Sequence, residues 1–208
     1  MTFNRILQLF LAAGVTGAAA NAASIAVFNF DGDSLGTSTN FTDTVNGLSA
    51  TFSSDADPGG FIVYQSVFET LTGNVLGDPG PAGQDNLRLN VNFSSELNAV
   101  TLNFATSDFV TPSPLTLSAY QDSVLVGSTT TGGMFLGGFP FPEGEAAFDG
   151  AVFNRIAISS GATDFAVDNL TVSAVPEPAP LANFAVGLVS LALGARRHKS
   201  RAGTGSKH

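Results

Sequence analysis

The chain has 208 residues, no cysteine and a formal net charge of −9, and its acidity is concentrated away from the two ends. Residues 24–174 contain sixteen acidic side chains and two basic ones, Arg88 and Arg155, which gives a net charge near −14 and argues against nucleic acid and anionic membranes as partners. The same residues lack cysteine, histidine and lysine, which excludes disulfides, thiol chemistry and the commonest general base and Schiff-base nucleophile.

The first 22 residues have the features of a signal peptide. Arg5 supplies a positive charge, residues 6–20 form an apolar stretch, and Ala20-Asn21-Ala22 places small side chains at the positions that signal peptidase reads. We predict cleavage after Ala22 or one residue later. The Sec translocon and signal peptidase are therefore the expected export partners.

Alternating hydrophobic residues predict strands throughout residues 23–174, the predicted passenger domain. Leu87, Leu89, Val91 and Phe93 alternate with polar residues, which places four apolar side chains on one face. Glycine, proline and aspartate in turn-forming combinations separate the strands. The pattern predicts an all-β fold, an antiparallel, jelly-roll-like β-sandwich of about eight to ten strands. The other predicted strands are Ile25–Phe30, Leu48–Phe52, Phe61–Tyr64, Val100–Phe104, Leu115–Ala119, Val124–Thr129, Val152–Ile158 and Phe165–Val172.

The last predicted strand changes its apolar parity at Asp168-Asn169. Phe165 and Val167 are apolar at odd positions, whereas Leu170 and Val172 are apolar at even ones. A strand that keeps one face buried needs a bulge or an end at such a switch. We therefore expect a bulge there that redirects the Asp168 carboxylate.

Asp31, Asp33 and Asp168 form a candidate calcium site. Asp31 and Asp33 follow the first strand and Asp168 lies in the last, and the first and last strands of a β-sandwich are often neighbours. Calcium takes roughly six to eight oxygen ligands, so a structural ion would connect the two ends of the domain. The alternative is that Asp31 and Asp33 belong to an ordinary turn and that Asp168 caps the bulge.

Candidate catalytic residues are sparse. Glu143 and Glu145 lie in a Gly/Pro/Phe-rich segment, residues 137–150, which we interpret as a loop. Nothing in the sequence fixes the separation of about 5–10 Å that a glycosidase carboxylate pair requires. Without histidine, no Ser-His-Asp triad forms within the passenger. We predict a non-enzymatic protein, and a secreted hydrolase that uses carboxylates alone is the remaining enzymatic alternative.

Aromatic residues bear on the second functional alternative, carbohydrate binding. Fifteen phenylalanines of the passenger are expected mainly in the core, and its two tyrosines are Tyr64 and Tyr120. Sugar-binding surfaces usually present flat aromatic rings with a polar handle, so the tyrosines or the loop residues Phe135, Phe139 and Phe141 would have to be exposed and coplanar. We expect these phenylalanines to fold back over one end of the sandwich instead.

Residues 175–201 combine a proline motif, an apolar stretch and a basic cluster. Pro176-Glu177-Pro178 interrupts regular structure because proline fixes φ and lacks an N–H. Residues 181–195 are uncharged and would form about 22 Å of helix, which alone is short for a membrane span. A basic cluster directly after an apolar stretch indicates a span with a cytoplasmic stop. The cluster consists of Arg196, Arg197, Lys199 and Arg201, and residues 202–208 form a predicted disordered tail with no evident role.

This order of elements resembles the PEP-CTERM sorting signal of Gram-negative bacteria, which exosortase-type membrane transpeptidases recognise. The segment is also labelled after the C-terminal domain of ice-binding proteins, a label that does not imply ice binding. The resemblance implies a precursor held in the inner membrane and processed near Pro176-Glu177-Pro178. The product would reside at the cell surface or in the extracellular matrix, associated with exopolysaccharide or biofilm.

The passenger is similar to β-sandwiches that precede this signal, which open with a Phe-Asp pair and close near an Asp-Asn pair. Phe30-Asp31 and Asp168-Asn169 match those places. We therefore expect a non-enzymatic surface or matrix protein. A carbohydrate-binding module that attaches the cell to extracellular polysaccharide is the alternative.

Overall fold

The computed structural model describes residues 24–55, 60–78 and 87–175. The regular elements of these residues are all strands, so the predicted all-β fold is confirmed. The strands are β1 (Ile25–Phe28), β2 (Phe41–Val45), β3 (Leu48–Ser54), β4 (Ile62–Gln65), β5 (Asn74–Gly77), β6 (Arg88–Thr106), β7 (Leu115–Gln121), β8 (Val124–Thr131), β9 (Met134–Phe135), β10 (Pro142–Ser160) and β11 (Phe165–Ala174). All of them belong to one compact unit, Ala23–Val175.

The terminal predictions lie outside the described residues. These are the signal peptide with Ala20 and Ala22, the Pro176-Glu177-Pro178 motif, the apolar stretch, the basic cluster and the tail. Among the residues that the structure does describe, none belongs to a helix with the length and apolarity that a membrane crossing needs.

The antiparallel sandwich has two layers that share two long strands. β6 and β10 contain 19 residues each and pair with each other along most of their length. The first half of β6 also pairs with β3, and its second half pairs with β11. One layer is thus β2-β3-β6-β10-β7-β8, and the other contains β4-β5-β11-β6-β10 with β1 beside β11 and β9 beside β10.

Phenylalanine dominates the space between the layers. Phe52 is fully buried, and its ring contacts those of Phe28, Phe30 and Phe41 at centroid distances of 6.1, 5.3 and 5.0 Å. The pairs with Phe28 and Phe30 are edge to face and the pair with Phe41 is stacked, and both arrangements add to the stabilisation from buried apolar area. The strand alternation seen in the sequence therefore marks the core correctly.

The relationship between the first and last strands also agrees with the sequence. Ile25 of β1 lies opposite Ser173 of β11. The register of β11 against β6 shifts between Asp168 and Thr171, and Asn169 has a φ of 51°. The predicted bulge at Asp168-Asn169 is confirmed.

The prediction of a loop over residues 137–150 is wrong for its second half. Residues from Glu143 onward pair with β6 as the start of β10. The inward positions there hold two small residues, Gly144 and Ala146. At Gly144 a larger residue would not fit, because a Cβ would lie 2.9 Å from the ring of Phe104. Small inward residues remove the apolar alternation by which a strand is recognised.

Candidate functional site

The β4–β5 loop, residues 66–73, is held by buried carboxylates at its middle and near its C-terminal end. Glu143 is 2% exposed, and its Oε1 accepts a hydrogen bond from the backbone N–H of Glu69 at 2.8 Å. Its Oε2 accepts two more at 2.6 Å, from the backbone N–H and the hydroxyl of Thr70. A buried carboxylate is stable only when such donors replace its water, so Glu143 and the loop stabilise each other.

Asp168 is the acceptor near the C-terminal end of the loop. It is 1% exposed and accepts hydrogen bonds from the backbone N–H of Asn169 at 2.7 Å and from the N–H of Thr72. Burial raises the pKa of Asp168 to about 6; the Asn169 hydrogen bond opposes this rise and the carboxylate of Asp31 adds to it. The bulge thus places one carboxylate under the loop and beside a second one.

Asp31 completes the attachment where the loop enters β5. Its Oδ1 accepts a hydrogen bond from the backbone N–H of Asn74 at 2.8 Å. Gly73 has a φ of 75°, and a Cβ there would overlap Asp31 Oδ1. Phe30 has a φ of 58°, which is unusual for a bulky residue. With this backbone conformation the ring of Phe30 is buried in the core and the next residue, Asp31, contacts the loop.

The structure brings two of the three predicted calcium ligands together. Asp31 and Asp168 interact, but the pKa of Asp33 is raised by partial burial and by Asp43. Asp33 instead closes a turn by donating its N–H to the carbonyl oxygen of Phe30 at 3.0 Å. Within the described residues, no group of three or more His, Cys, Asp or Glu side chains has the geometry to hold a metal ion. The predicted cluster of Asp31, Asp33 and Asp168 is therefore not formed. Calcium binding itself is untested, and the two aspartates that do interact, Asp31 and Asp168, are its remaining candidate ligands.

A cleft with a volume of about 160 Å³ lies beside the loop. The ring of Tyr64 forms one wall and packs against Gly77, where a Cβ would lie 2.9 Å from the ring. Phe68 of the loop and Phe141 form another, edge to face, with centroids 5.3 Å apart and planes at 74°. Beneath Tyr64 and Phe68 lies a small second core. It consists of Leu71, Val75, Ala105 and Ala166.

The polar side chains of the cleft include Asp78, Asp164 and Thr106. Burial raises the pKa of Tyr64 well above its usual value, and the carboxylates of Asp164 and Asp78 add to the rise, which indicates that both lie close to the phenol. Thr106 is 1% exposed, and its hydroxyl has no hydrogen-bond partner among the described residues. A buried hydroxyl in this state loses the hydrogen bonds that water would give it.

Basic side chains lie away from the cleft. Arg88 pairs with Asp55, with Nε and Oδ2 3.7 Å apart. The guanidinium of Arg155 lies 4.1 Å from the ring centre of Tyr120. No other basic residue occurs in residues 24–175. The described lining of the cleft is therefore apolar and acidic.

The coplanar aromatic platform that the carbohydrate-binding alternative would require is not formed. Tyr64 and Phe141 line the cleft, whereas Tyr120 lies under Arg155 and Phe135 is exposed elsewhere. The two phenylalanine rings at the cleft, Phe68 and Phe141, are inclined to each other at 74°. Phe141 packs against Phe68 and Phe109, and Phe139 is half-buried. Phe135 is 42% exposed, so the expectation that these phenylalanines fold back over the sandwich is wrong for Phe135.

Sequence reasoning missed Phe68 as a site residue. Val67-Phe68 is an apolar pair between turn-forming residues, which would have been the signal.

The positions of Glu143 and Glu145 do not support the alternative that they form the carboxylate pair of a hydrolase. Both oxygens of Glu143 are occupied by donors of the β4–β5 loop. Glu145 is exposed two residues further along β10. Neither residue lines the cleft.

Comparisons with known proteins place the fold. No protein-family model matches the chain, and no curated protein matches its sequence. The structure is similar to the K2 cleaved adhesin domain of Lys-gingipain, with a TM-score of 0.50 and 13% identity, over 72% of this chain and 99% of that chain. The protein is therefore an antiparallel β-sandwich with a fold similar to that adhesin domain.

Two further structures are similar to a lower degree. The K1 cleaved adhesin domain of Lys-gingipain from Porphyromonas gingivalis W83 has a TM-score of 0.48 and 9% identity, over 73% of this chain and 99% of that chain. A carbohydrate-binding module described by its specific mannan recognition has a TM-score of 0.43 and 13% identity, over 74% of this chain and 99% of that chain. At these identities a likeness concerns the fold and carries no ligand across.

Proposed function

We propose that the protein is an exported, non-enzymatic surface or extracellular-matrix protein whose β-sandwich binds extracellular polysaccharide in the cleft of Tyr64, Phe68 and Phe141. The observation that carries the proposal is the lining of this cleft. Aromatic faces, with a small number of polar groups to fix orientation, are the usual composition of a small-molecule site. They also suit a sugar ring, which has apolar faces and polar edges.

The size and shape of the cleft support binding of a single sugar residue. Its volume of about 160 Å³ is below the roughly 300–1,000 Å³ of sites for drug-sized ligands. Inclined walls enclose a compact group, whereas a coplanar platform would follow the length of a chain. The terminal residue of a polysaccharide fits this geometry better than an internal segment.

A non-enzymatic role is supported by the chemistry of the domain. Residues 24–175 contain no histidine, cysteine or lysine. The most buried glutamate, Glu143, holds a loop through hydrogen bonds to both of its oxygens. The groups that commonly act as bases and nucleophiles are therefore absent from these residues or otherwise engaged.

Export and processing are proposed from the two ends of the chain. Signal peptidase would act after Ala22, and an exosortase-type transpeptidase near Pro176-Glu177-Pro178. Intact-mass analysis of the exported protein from an exosortase-positive host tests this step. The expected species begins near Ala23 and lacks residues 181–201; an exported species that retains them contradicts it.

Binding is tested by calorimetry with the exopolysaccharide of the host. We expect saturable binding that Phe68→Ala weakens at least about tenfold, a difference of about 1.4 kcal/mol. Phe135→Ala is the matched control, because Phe135 is an exposed phenylalanine that does not line the cleft. No saturable binding, or equal losses in both variants, would leave the domain with a structural role.

A further inference from the structure

The charge of the cleft restricts the ligands that it accepts. Asp78 and Asp164 line it, and no basic side chain does so among the described residues. The two basic residues of the domain, Arg88 and Arg155, contact Asp55 and Tyr120 instead. A sugar acid or sulfated sugar would therefore meet only like charges. A cationic ligand would meet two carboxylates inside a domain of net charge near −14.

The aromatic walls favour the same kind of ligand. The face of an aromatic ring is electronegative and attracts a cation that lies within about 6 Å of its centre. Phe68 and Phe141 meet at 74°, and Tyr64 lines the same cleft. A cation beside these rings gains this attraction in addition to the apolar contact that a neutral sugar ring would make.

Hydrogen-bond acceptors complete the arrangement. An ammonium group carries three donors and no acceptor. Asp78 and Asp164, which line the cleft, have acceptor oxygens and no donor when they are ionised. Ionised carboxylates therefore match an ammonium ion in hydrogen-bonding type as well as in charge.

We infer that the cleft binds a protonated primary amine, carried by an amino sugar at the end of a polysaccharide chain. The inference rests on the proposed function in one respect, that the amine belongs to a saccharide. It adds the chemical class of the ligand: a hexosamine with a charged amino group, preferred over its N-acetylated, neutral and acidic counterparts.

Calorimetry with four matched hexasaccharides tests the ligand class. They are oligomers of glucosamine, N-acetylglucosamine, glucose and galacturonic acid, measured at a pH where the amine is protonated. We expect the glucosamine oligomer to bind at least tenfold more tightly than the two neutral ones and the galacturonic acid oligomer not to bind. Asp164→Asn and Asp78→Asn should each reduce this preference several-fold. Asp149→Asn, which removes an exposed carboxylate outside the cleft lining, should preserve it.

The results separate this inference from the proposed function. Suppose that amino and neutral oligomers bind equally, that Phe68→Ala abolishes this binding, and that Asp164→Asn and Asp78→Asn leave it unchanged. This result would overturn the amine preference and leave polysaccharide binding intact. If no saccharide binds, NMR titration with methylammonium chloride, against sodium chloride at equal ionic strength, probes the cleft directly. Shifts of Tyr64 and Phe68 that Asp164→Asn abolishes would support amine binding without a polysaccharide. No shift would overturn both proposals.

Discussion

Thr70 donates both its backbone N–H and its hydroxyl to one carboxylate oxygen of Glu143, a residue 73 positions further along the chain. These two hydrogen bonds fix the middle of the β4–β5 loop. Phe68, two residues before Thr70, forms part of the wall of the proposed binding cleft. The geometry of the cleft therefore depends on a glutamate that does not line it.

Glu143→Gln tests this dependence. The substitution replaces one carboxylate oxygen by an NH₂ group, which cannot accept a hydrogen bond from the loop. The remaining amide oxygen is a neutral and weaker acceptor than a carboxylate oxygen. We expect a loss of about 1–3 kcal/mol in the free energy of unfolding, measured by urea denaturation, together with weaker ligand binding. Glu145→Gln, an exposed glutamate on the same strand, should stay within about 0.5 kcal/mol of the wild type. Similar stability of the two variants would contradict the role assigned to Glu143.

Gly73→Ala tests the contact between the loop and Asp31. Gly73 and Gly36 have similar left-handed conformations, with φ of 75° and 83°, but a Cβ at Gly36 meets nothing within 4 Å. Gly36→Ala should therefore show only the conformational penalty of about 1–2 kcal/mol. Gly73→Ala adds an overlap with the Asp31 carboxylate and should be clearly less stable in urea denaturation. Equal losses would mean that Asp31 moves aside without consequence.

Asp168 predicts a pH dependence of stability. Its carboxyl group has a pKa of 3.8 when unperturbed and about 6 in the folded protein, so the folded state binds the proton more tightly. Its contribution is therefore fully present below pH 3.8 and is lost as the pH rises through 6. The difference in unfolding free energy between wild type and Asp168→Asn should fall from pH 4 to pH 7. A difference that stays constant or rises over this interval would contradict the assignment.

Calcium binding by Asp31 and Asp168 is tested by thermal unfolding. An ion that binds only the folded state adds about 2.7 kcal/mol at 100 times its dissociation constant, so Tm should rise by several degrees. Asp168→Asn should abolish most of this rise. Magnesium at equal ionic strength should not reproduce it, because that ion prefers octahedral geometry. Equal shifts with both ions would leave the two aspartates as acceptors for the loop.

Most of the strands, and the bulge, were predictable because they depend on local patterning, whereas β2, β5 and β9 were not predicted. Alternation along Leu87–Phe93 identifies the start of β6, and the parity switch at Asp168-Asn169 identifies the bulge. β5, Asn74–Gly77, escaped prediction because Val75 and Leu76 are both buried. Val75 lies in the small core with Tyr64 and Phe68, so this strand shows no alternation.

The site was less predictable because it depends on distant parts of the chain. Phe68 and Phe141 meet only after β5, β6 and β10 have taken their places in the sheet. The roles of Glu143 and Asp168 as acceptors for the loop follow from burial, which a carboxylate in a polar sequence context does not reveal. The sequence pointed to Asp168 as a candidate calcium ligand and to Glu143 as a candidate catalytic residue that it did not favour, and it gave no sign of their role as acceptors for the loop.

The two strands that run through both layers have a consequence for how the domain folds. β6 and β10 supply hydrogen-bond partners to each layer, so neither layer is complete without the other. We expect a single cooperative unfolding transition and slow folding, because most pairings join residues far apart in sequence. β1 gains its partner only when β11 is available. A chain that emerges from its N-terminus onward therefore carries an unpaired first strand until nearly all of the domain has been released.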